Sequence, residues 1–103
     1  MLAALDGQVA ALVAALRERG LLDRTLLLFA GDNGGSGRFF PSNTPLEGGK
    51  GLAREGGTRV PLFLYGPGIA PGSREDVASY LDLMPTLLAR SGAAPAPPGR
   101  DLL

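Results

Sequence analysis

The run Thr25-Leu26-Leu27-Leu28-Phe29-Ala30 feeds directly into Gly31-Asp32-Asn33-Gly34-Gly35, and this junction limits the possible folds more than any other part of the chain. Leu26 to Ala30 is continuously apolar rather than alternating, the pattern of a strand covered on both faces and placed centrally in an α/β sheet. The glycines that follow let the backbone turn sharply, so the strand presents a carboxylate and a side-chain amide at its end. From Gly31 to Arg59 the periodicity disappears and glycine recurs at positions 34, 35, 37, 48, 49, 51, 56 and 57. A stretch of that kind within a small domain is ordinarily either functional or disordered.

Upstream, Leu2, Leu5, Val9, Leu12, Val13 and Leu16 recur at steps of three and four, and Gly20 follows Arg17-Glu18-Arg19. The spacing predicts an amphipathic helix with a glycine stop. Downstream, Val60 to Tyr65 reads as a second apolar strand closed by Gly66-Pro67-Gly68. Asp82 to Arg90 reads as a second helix, with Ser79 or Asp82 near its cap, Pro85 in its first turn and Gly92 as its stop. Residues 93–103 are expected to be a Pro/Ala-rich linker or tail, leaving 1–92 as the folded part.

Composition removes several function classes. Ten Lys+Arg balance ten Asp+Glu, so no basic field exists to hold nucleic acid or an anionic membrane nonspecifically. The chain has no Cys and no His, which excludes thiol nucleophiles, thiolate metal sites and imidazole acid–base chemistry. No segment approaches the ~18 uncharged apolar residues of a membrane span. Met1-Leu2-Ala3-Ala4-Leu5 has no basic segment ahead of it, and Asp6 and Gln8 interrupt the apolar run, so a helix is expected there rather than an export signal.

Chemistry must then come from Asp, Glu, Asn, Ser, Thr, Lys, Arg or Tyr. Asp32 and Asn33 offer a carboxylate and an amide carbonyl, hard ligands suited to Ca²⁺ or Mg²⁺. Taken alone, Asp32-Asn33-Gly34 reads more readily as a simple turn. Lys50 stands between Gly49 and Gly51, where the backbone can approach a ligand and the ammonium can meet a sulfate or phosphate oxygen; alone, it is an ordinary solvated lysine. Gly51 follows Lys50 and Thr44 precedes Gly49 by five positions, so the lysine is not part of a Walker A loop. Glu55 and Arg59 flank Gly56-Gly57 and are placed either to form a charge-assisted pair that fixes the loop, the favoured reading, or to contact a substrate.

In order along the chain stand Asp32-Asn33-Gly34, Asn43-x-Pro45-Leu46-x-Gly48-Gly49-Lys50-Gly51, Glu55-Gly56-Gly57-x-Arg59-Val60-Pro61, Pro67-Gly68 and Leu81-Asp82-x-x-Pro85-Thr86-Leu87-Leu88. This ordered set resembles the later part of the catalytic domain of a type I sulfatase, within the alkaline phosphatase-like superfamily, and the resemblance spans almost the whole chain. It implies a partial three-layer αβα sandwich and hydrolysis of a sulfate ester. It also implies a divalent cation, usually Ca²⁺, on Asp32 and Asn33, sulfate on Lys50, and a loop shaped by Glu55 and Arg59. A phosphoryl-transfer member of the same superfamily is the related alternative, and a noncatalytic binding module is the alternative from another class.

The departures are equally specific. The family's nucleophile is a formylglycine made from the first residue of Cys/Ser-x-Pro-x-Arg, and this chain has no such sequence: around Pro41, Phe39 and Asn43 occupy the nucleophile and arginine positions. The family's early aspartate pair and catalytic histidines have no counterpart here either. The expectation is therefore a segment carrying half of a metal site and one sulfate-binding lysine, inactive by itself, whose partner is the N-terminal part of the catalytic domain or a second copy. Members of the family are often exported.

Overall fold

The computed structural model describes residues 2–36, 43–92 and 99–103. Two compact units divide the chain, Met1–Gly68 and Ile69–Leu103. The first contains α1 (Leu2–Glu18), a 3₁₀ turn (Leu22–Arg24), β1 (Leu27–Ala30), the short α2 (Glu55–Thr58) and β2 (Leu62–Tyr65); the second contains α3 (Tyr80–Ser91).

The end of α1 follows from Gly20. Its φ of 64° takes the left-handed conformation that only glycine adopts at little cost, and the Gly20 and Leu21 N–H groups donate to the carbonyls of Arg17 at 3.0 Å and Leu16 at 2.9 Å. That pair of bonds is a Schellman ending, which satisfies carbonyls the helix leaves open. Leu22, just beyond, is buried, and on α3 Pro85 is buried as well. No helix is long and apolar enough to cross a membrane among the described residues.

β1 and β2 form a two-stranded antiparallel sheet in which Leu27, Leu28, Phe29 and Ala30 stand opposite Tyr65, Leu64, Phe63 and Leu62. The pairing corrects the expectation of a central strand covered on both faces. Among the described residues each strand has a single neighbour, and alternation puts Phe29, Phe63 and Tyr65 on an exposed face while Leu28, Leu62 and Leu64 are half-buried. The Phe29 and Phe63 rings lie tilted at 50° with centroids 6.2 Å apart, a cross-strand aromatic pair that holds the register. The fold is thus a mixture of helices with a small sheet.

In the second unit both cap candidates are used. The Ser79 hydroxyl accepts from the Leu81 N–H at 3.1 Å and the Asp82 carboxylate accepts from the Ser79 N–H at 2.9 Å, closing a capping box. Pro85 sits in the second turn of α3 rather than the first, because the helix begins at Tyr80. Its missing N–H leaves the Leu81 carbonyl without its usual partner four residues on, and Gly99 packs against that carbonyl so closely that a Cβ there would lie 2.5 Å away. Residues 93–98 of the segment expected to be a linker or tail lie outside the described residues, whereas residues 99–103 return to α3. There the Arg100 N–H donates to Asp82 at 2.9 Å and the Leu102 N–H to the Thr86 hydroxyl at 3.0 Å.

Candidate functional site

β1 ends one residue before Gly31, whose N–H donates to the Pro61 carbonyl at 3.1 Å and so prolongs the sheet pairing to the edge of the turn. Asp32 and Asn33 follow at once. The position at a strand end comes from the sheet, and the shape of the turn comes from glycine.

Three glycine-rich stretches meet backbone to backbone beyond that strand end. The Gly34 N–H donates to the Gly57 carbonyl at 3.0 Å, the Lys50 N–H to the Gly35 carbonyl at 3.1 Å, and the Gly56 N–H to the Glu47 carbonyl at 2.7 Å. No side chain fits between these strands of backbone. A Cβ on Gly34 would sit 1.7 Å from the Gly56 carbonyl oxygen, one on Gly49 2.5 Å from that of Gly35, and one on Gly57 2.3 Å from that of Leu52. The described parts of this aperiodic segment, residues 31–36 and 43–59, are therefore tied by their own peptide groups, and Gly56 and Gly57 are buried inside the single turn of α2. Gly48 and Gly51 supply left-handed turns, both with φ 87°, on either side of Gly49-Lys50.

Asp32, Asn33 and Lys50 are brought into this one knot. The Lys50 backbone is hydrogen-bonded to the residue two places after Asn33, and its side chain is exposed. The Asp32 carboxylate is exposed and pairs with no Lys or Arg among the described residues. The Asn33 amide nitrogen donates to the Gly34 carbonyl at 2.8 Å, which leaves its oxygen as the group that can face a cation. Two hard oxygen donors fit a Ca²⁺ or Mg²⁺ ion but fall well short of the about six to eight that Ca²⁺ takes. No cluster of three or more His, Cys, Asp or Glu side chains is placed to hold a metal among the described residues. The residues present fit part of a ligand shell.

Glu55 and Arg59 form an ion pair at 3.6 Å across the turn of α2, with both side chains more than half exposed. Such a pair contributes at most about 1 kcal/mol. A shorter pair, Arg54 to Glu47 at 2.7 Å, lies on the same loop, and the Arg54 carbonyl accepts from the Gly57 and Thr58 N–H groups at 2.8 and 3.1 Å.

Asn43 is the residue whose part the sequence did not disclose. Its side-chain oxygen accepts from the Gly35 N–H at 2.9 Å, and its amide nitrogen donates to the carbonyls of Gly35 at 3.0 Å and Gly48 at 2.9 Å. The available signal was an asparagine two places before Pro45 in the run leading to Gly48-Gly49. Pro41 and its neighbours Phe39, Phe40 and Ser42 lie outside the described residues.

Comparison with known proteins gives the family. The family model described as Sulfatase matches residues 1–93. Arylsulfatase A of Homo sapiens is 43% identical over 93 residues, which cover 86% of this chain and 18% of the human protein. The choline-sulfatase of Rhizobium meliloti is 39% identical over 92 residues, 85% of this chain and 16% of that protein, and an arylsulfatase of Clostridium perfringens is 36% identical over 92 residues, 82% and 18%. The chain thus spans less than a fifth of the length of these curated relatives. With the family model matching nine-tenths of its length, from the opening helix through α3, the chain belongs to the sulfatase family.

Proposed function

We propose that this chain is a segment of a sulfuric ester hydrolase that contributes half of a divalent-metal site, Asp32 and Asn33, and the lysine that binds the sulfate group, Lys50. The reaction of the whole enzyme is hydrolysis of R–O–SO₃⁻ by water to the alcohol and sulfate. The observation that supports this reading is the knot of glycine backbone that fixes the Lys50 loop to the turn after Asn33, through the 3.1 Å bond between the Lys50 N–H and the Gly35 carbonyl. A cation carboxylate-bound at the strand end and an ammonium on the adjoining loop both offset charge on a sulfate held between them.

Each residue has a distinct part. The carboxylate oxygens of Asp32 and the amide oxygen of Asn33 would hold the cation, with its remaining ligands supplied from outside this chain. A bound divalent cation supplies charge neutralisation on the ester oxygens. The Lys50 ammonium is a compact charge on a flexible stem, suited to a nonbridging sulfate oxygen. Glu55 and Arg59 brace the turn that follows the Lys50 loop. The formylglycine of the family has no Cys/Ser-x-Pro-x-Arg sequence here in which to form, so nucleophilic attack belongs to another segment, and the chain alone is inactive. The rest of a three-layer αβα sandwich, supplied by the N-terminal part of the catalytic domain, would cover the faces this segment leaves open.

Titrating the 103-residue chain with inorganic sulfate, with and without Ca²⁺, tests the reading by ¹H–¹⁵N spectra. Expected are shifts centred on Lys50 with sulfate and on Asp32-Asn33 with Ca²⁺, with Lys50→Ala removing the first set and Asp32→Ala the second. Sulfate shifts that survive in Lys50→Ala would sink the assignment. Turnover of an aryl sulfate by the chain alone would sink the claim that the nucleophile lies elsewhere.

A further inference from the structure

The geometry points to Asn43 as the positioning residue that sets Lys50 against the Asp32-Asn33 strand end. This rests on the reading of Lys50 as the sulfate-binding cation, but its structural basis is separate. The side-chain amide of Asn43 grips both polar groups of Gly35, accepting from the N–H at 2.9 Å and donating to the carbonyl at 3.0 Å, and its second N–H donates to the Gly48 carbonyl at 2.9 Å. Gly35 lies two residues beyond Asn33, and Gly48 lies two residues before Lys50. One side chain therefore spans the two loops that carry the proposed metal and sulfate groups. The Gly35 carbonyl it grips is the one that receives the Lys50 N–H. Asn43 thus holds the acceptor on which the Lys50 backbone hangs, without itself touching sulfate.

Only asparagine meets these demands. Two donors and an acceptor on one short planar group are the property of a primary amide. Aspartate has the same shape but would turn an anionic oxygen toward two carbonyls and lose both donated bonds. Glutamine adds a methylene where there is no slack, since a Cβ on Gly49 would already stand 3.0 Å from the Asn43 nitrogen. Alanine leaves the Gly35 N–H without its acceptor.

The test uses the full 103-residue chain and reads two quantities in wild type, Asn43→Ala and Asn43→Asp. The first is hydrogen-exchange protection of the Lys50 amide relative to the amides of the β1–β2 ladder, and the second is the affinity for inorganic sulfate read at Lys50. In both variants, loss of Lys50 protection and of sulfate affinity by about tenfold or more is expected, with ladder protection retained. Asn43→Asp should regain Lys50 protection as its carboxyl is protonated below about pH 4 and recovers a donor, whereas Asn43→Ala should not. Wild-type protection and sulfate affinity in Asn43→Ala would overturn the proposal. So would parallel collapse of the ladder in both variants, which would make Asn43 a general folding residue. A wild-type chain whose Lys50 ignores sulfate would defeat the sulfate reading instead, and the exchange measurement would still decide whether Asn43 positions Lys50.

Discussion

At the scale of single residues, the site is decided by atoms that are missing. Gly34 has 1.7 Å between the place of a Cβ and the Gly56 carbonyl oxygen, and no neighbouring backbone can move away without breaking the Gly34 to Gly57 hydrogen bond. Gly34→Ala should therefore cost about 3 kcal/mol or more and strip exchange protection from Lys50 and Gly56, an effect measurable by denaturant titration with amide exchange. Gly7 is the contrast. It lies inside α1 with nothing within 4 Å of its would-be Cβ, so Gly7→Ala should stabilise the helix by about 0.5–1 kcal/mol in the same titration. The sequence shows both as glycines and separates them only by context. Asp32, Asn33 and Lys50 were legible as candidates because their types and order match a known pattern. The contact of Gly34 with Gly56 was not, because it joins stretches distant along the chain, nor was the grip of Asn43 on Gly35 and Gly48, which leaves no periodic trace.

At the scale of elements, α3 shows what local signals can and cannot convey. Ser79, Asp82 and Gly92 announced its two ends, and the capping box and the left-handed Gly92, φ 74°, follow from them. The sequence did not reveal that Asp82 also receives the chain after Gly99, since that contact returns across residues with no pattern of their own. The Asp82 carboxyl is held below its ordinary value first by the Arg100 N–H, then by the Ser79 N–H; burial opposes this, and the Arg100 guanidinium, 4.0 Å away, adds to the lowering. A depressed folded-state value means that the ionised form contributes stability, fully present above the unfolded-chain value of about 3.9 and lost as pH falls through the lower folded-state value. Melting of α3 and release of residues 99–103 should accordingly begin below about pH 4, and exchange of the Arg100 amide against pH should report it. Asp82→Asn should flatten that dependence; an unchanged profile would place the titrating group elsewhere. Thr86, fully buried, donates to the Asp82 carbonyl at 2.6 Å and accepts from Leu102, so Thr86→Val should cost about 1–3 kcal/mol by leaving the Leu102 N–H unpaired, while Thr86→Ser should cost less.

At the scale of the whole molecule, the sequence and the structure disagree in a way that follows from sheet size. A continuous apolar run predicts a strand covered on both faces, yet Phe63 is 63% and Tyr65 55% exposed, and on α1 Leu2 is 80% exposed with no residue of that helix buried. Among the described residues of the first unit, two strands with α1 and the short α2 do not provide enough surface to cover what Leu26–Ala30 and Val60–Tyr65 were composed to bury. The run of residues was read correctly as apolar, but the covering layers it calls for are not formed within these residues. Among the described residues each strand also keeps an unpaired outer edge, which invites pairing with another chain. The 103-residue chain should therefore self-associate as its concentration rises, and light scattering across a dilution series should show the mass increasing. Phe63→Lys combined with Tyr65→Lys puts charge on the exposed face of β2 while leaving the half-buried Leu62 and Leu64 in place, so it should lower the association without loosening the ladder. Because Asp32, Asn33 and Lys50 lie beyond the end of β1, the same double variant should keep the Ca²⁺ and sulfate responses of the parent chain. A parent chain that stays monomeric at every concentration would show the apolar face to be tolerated by a self-sufficient domain, and the proposal that a further part of the catalytic domain covers it would fail.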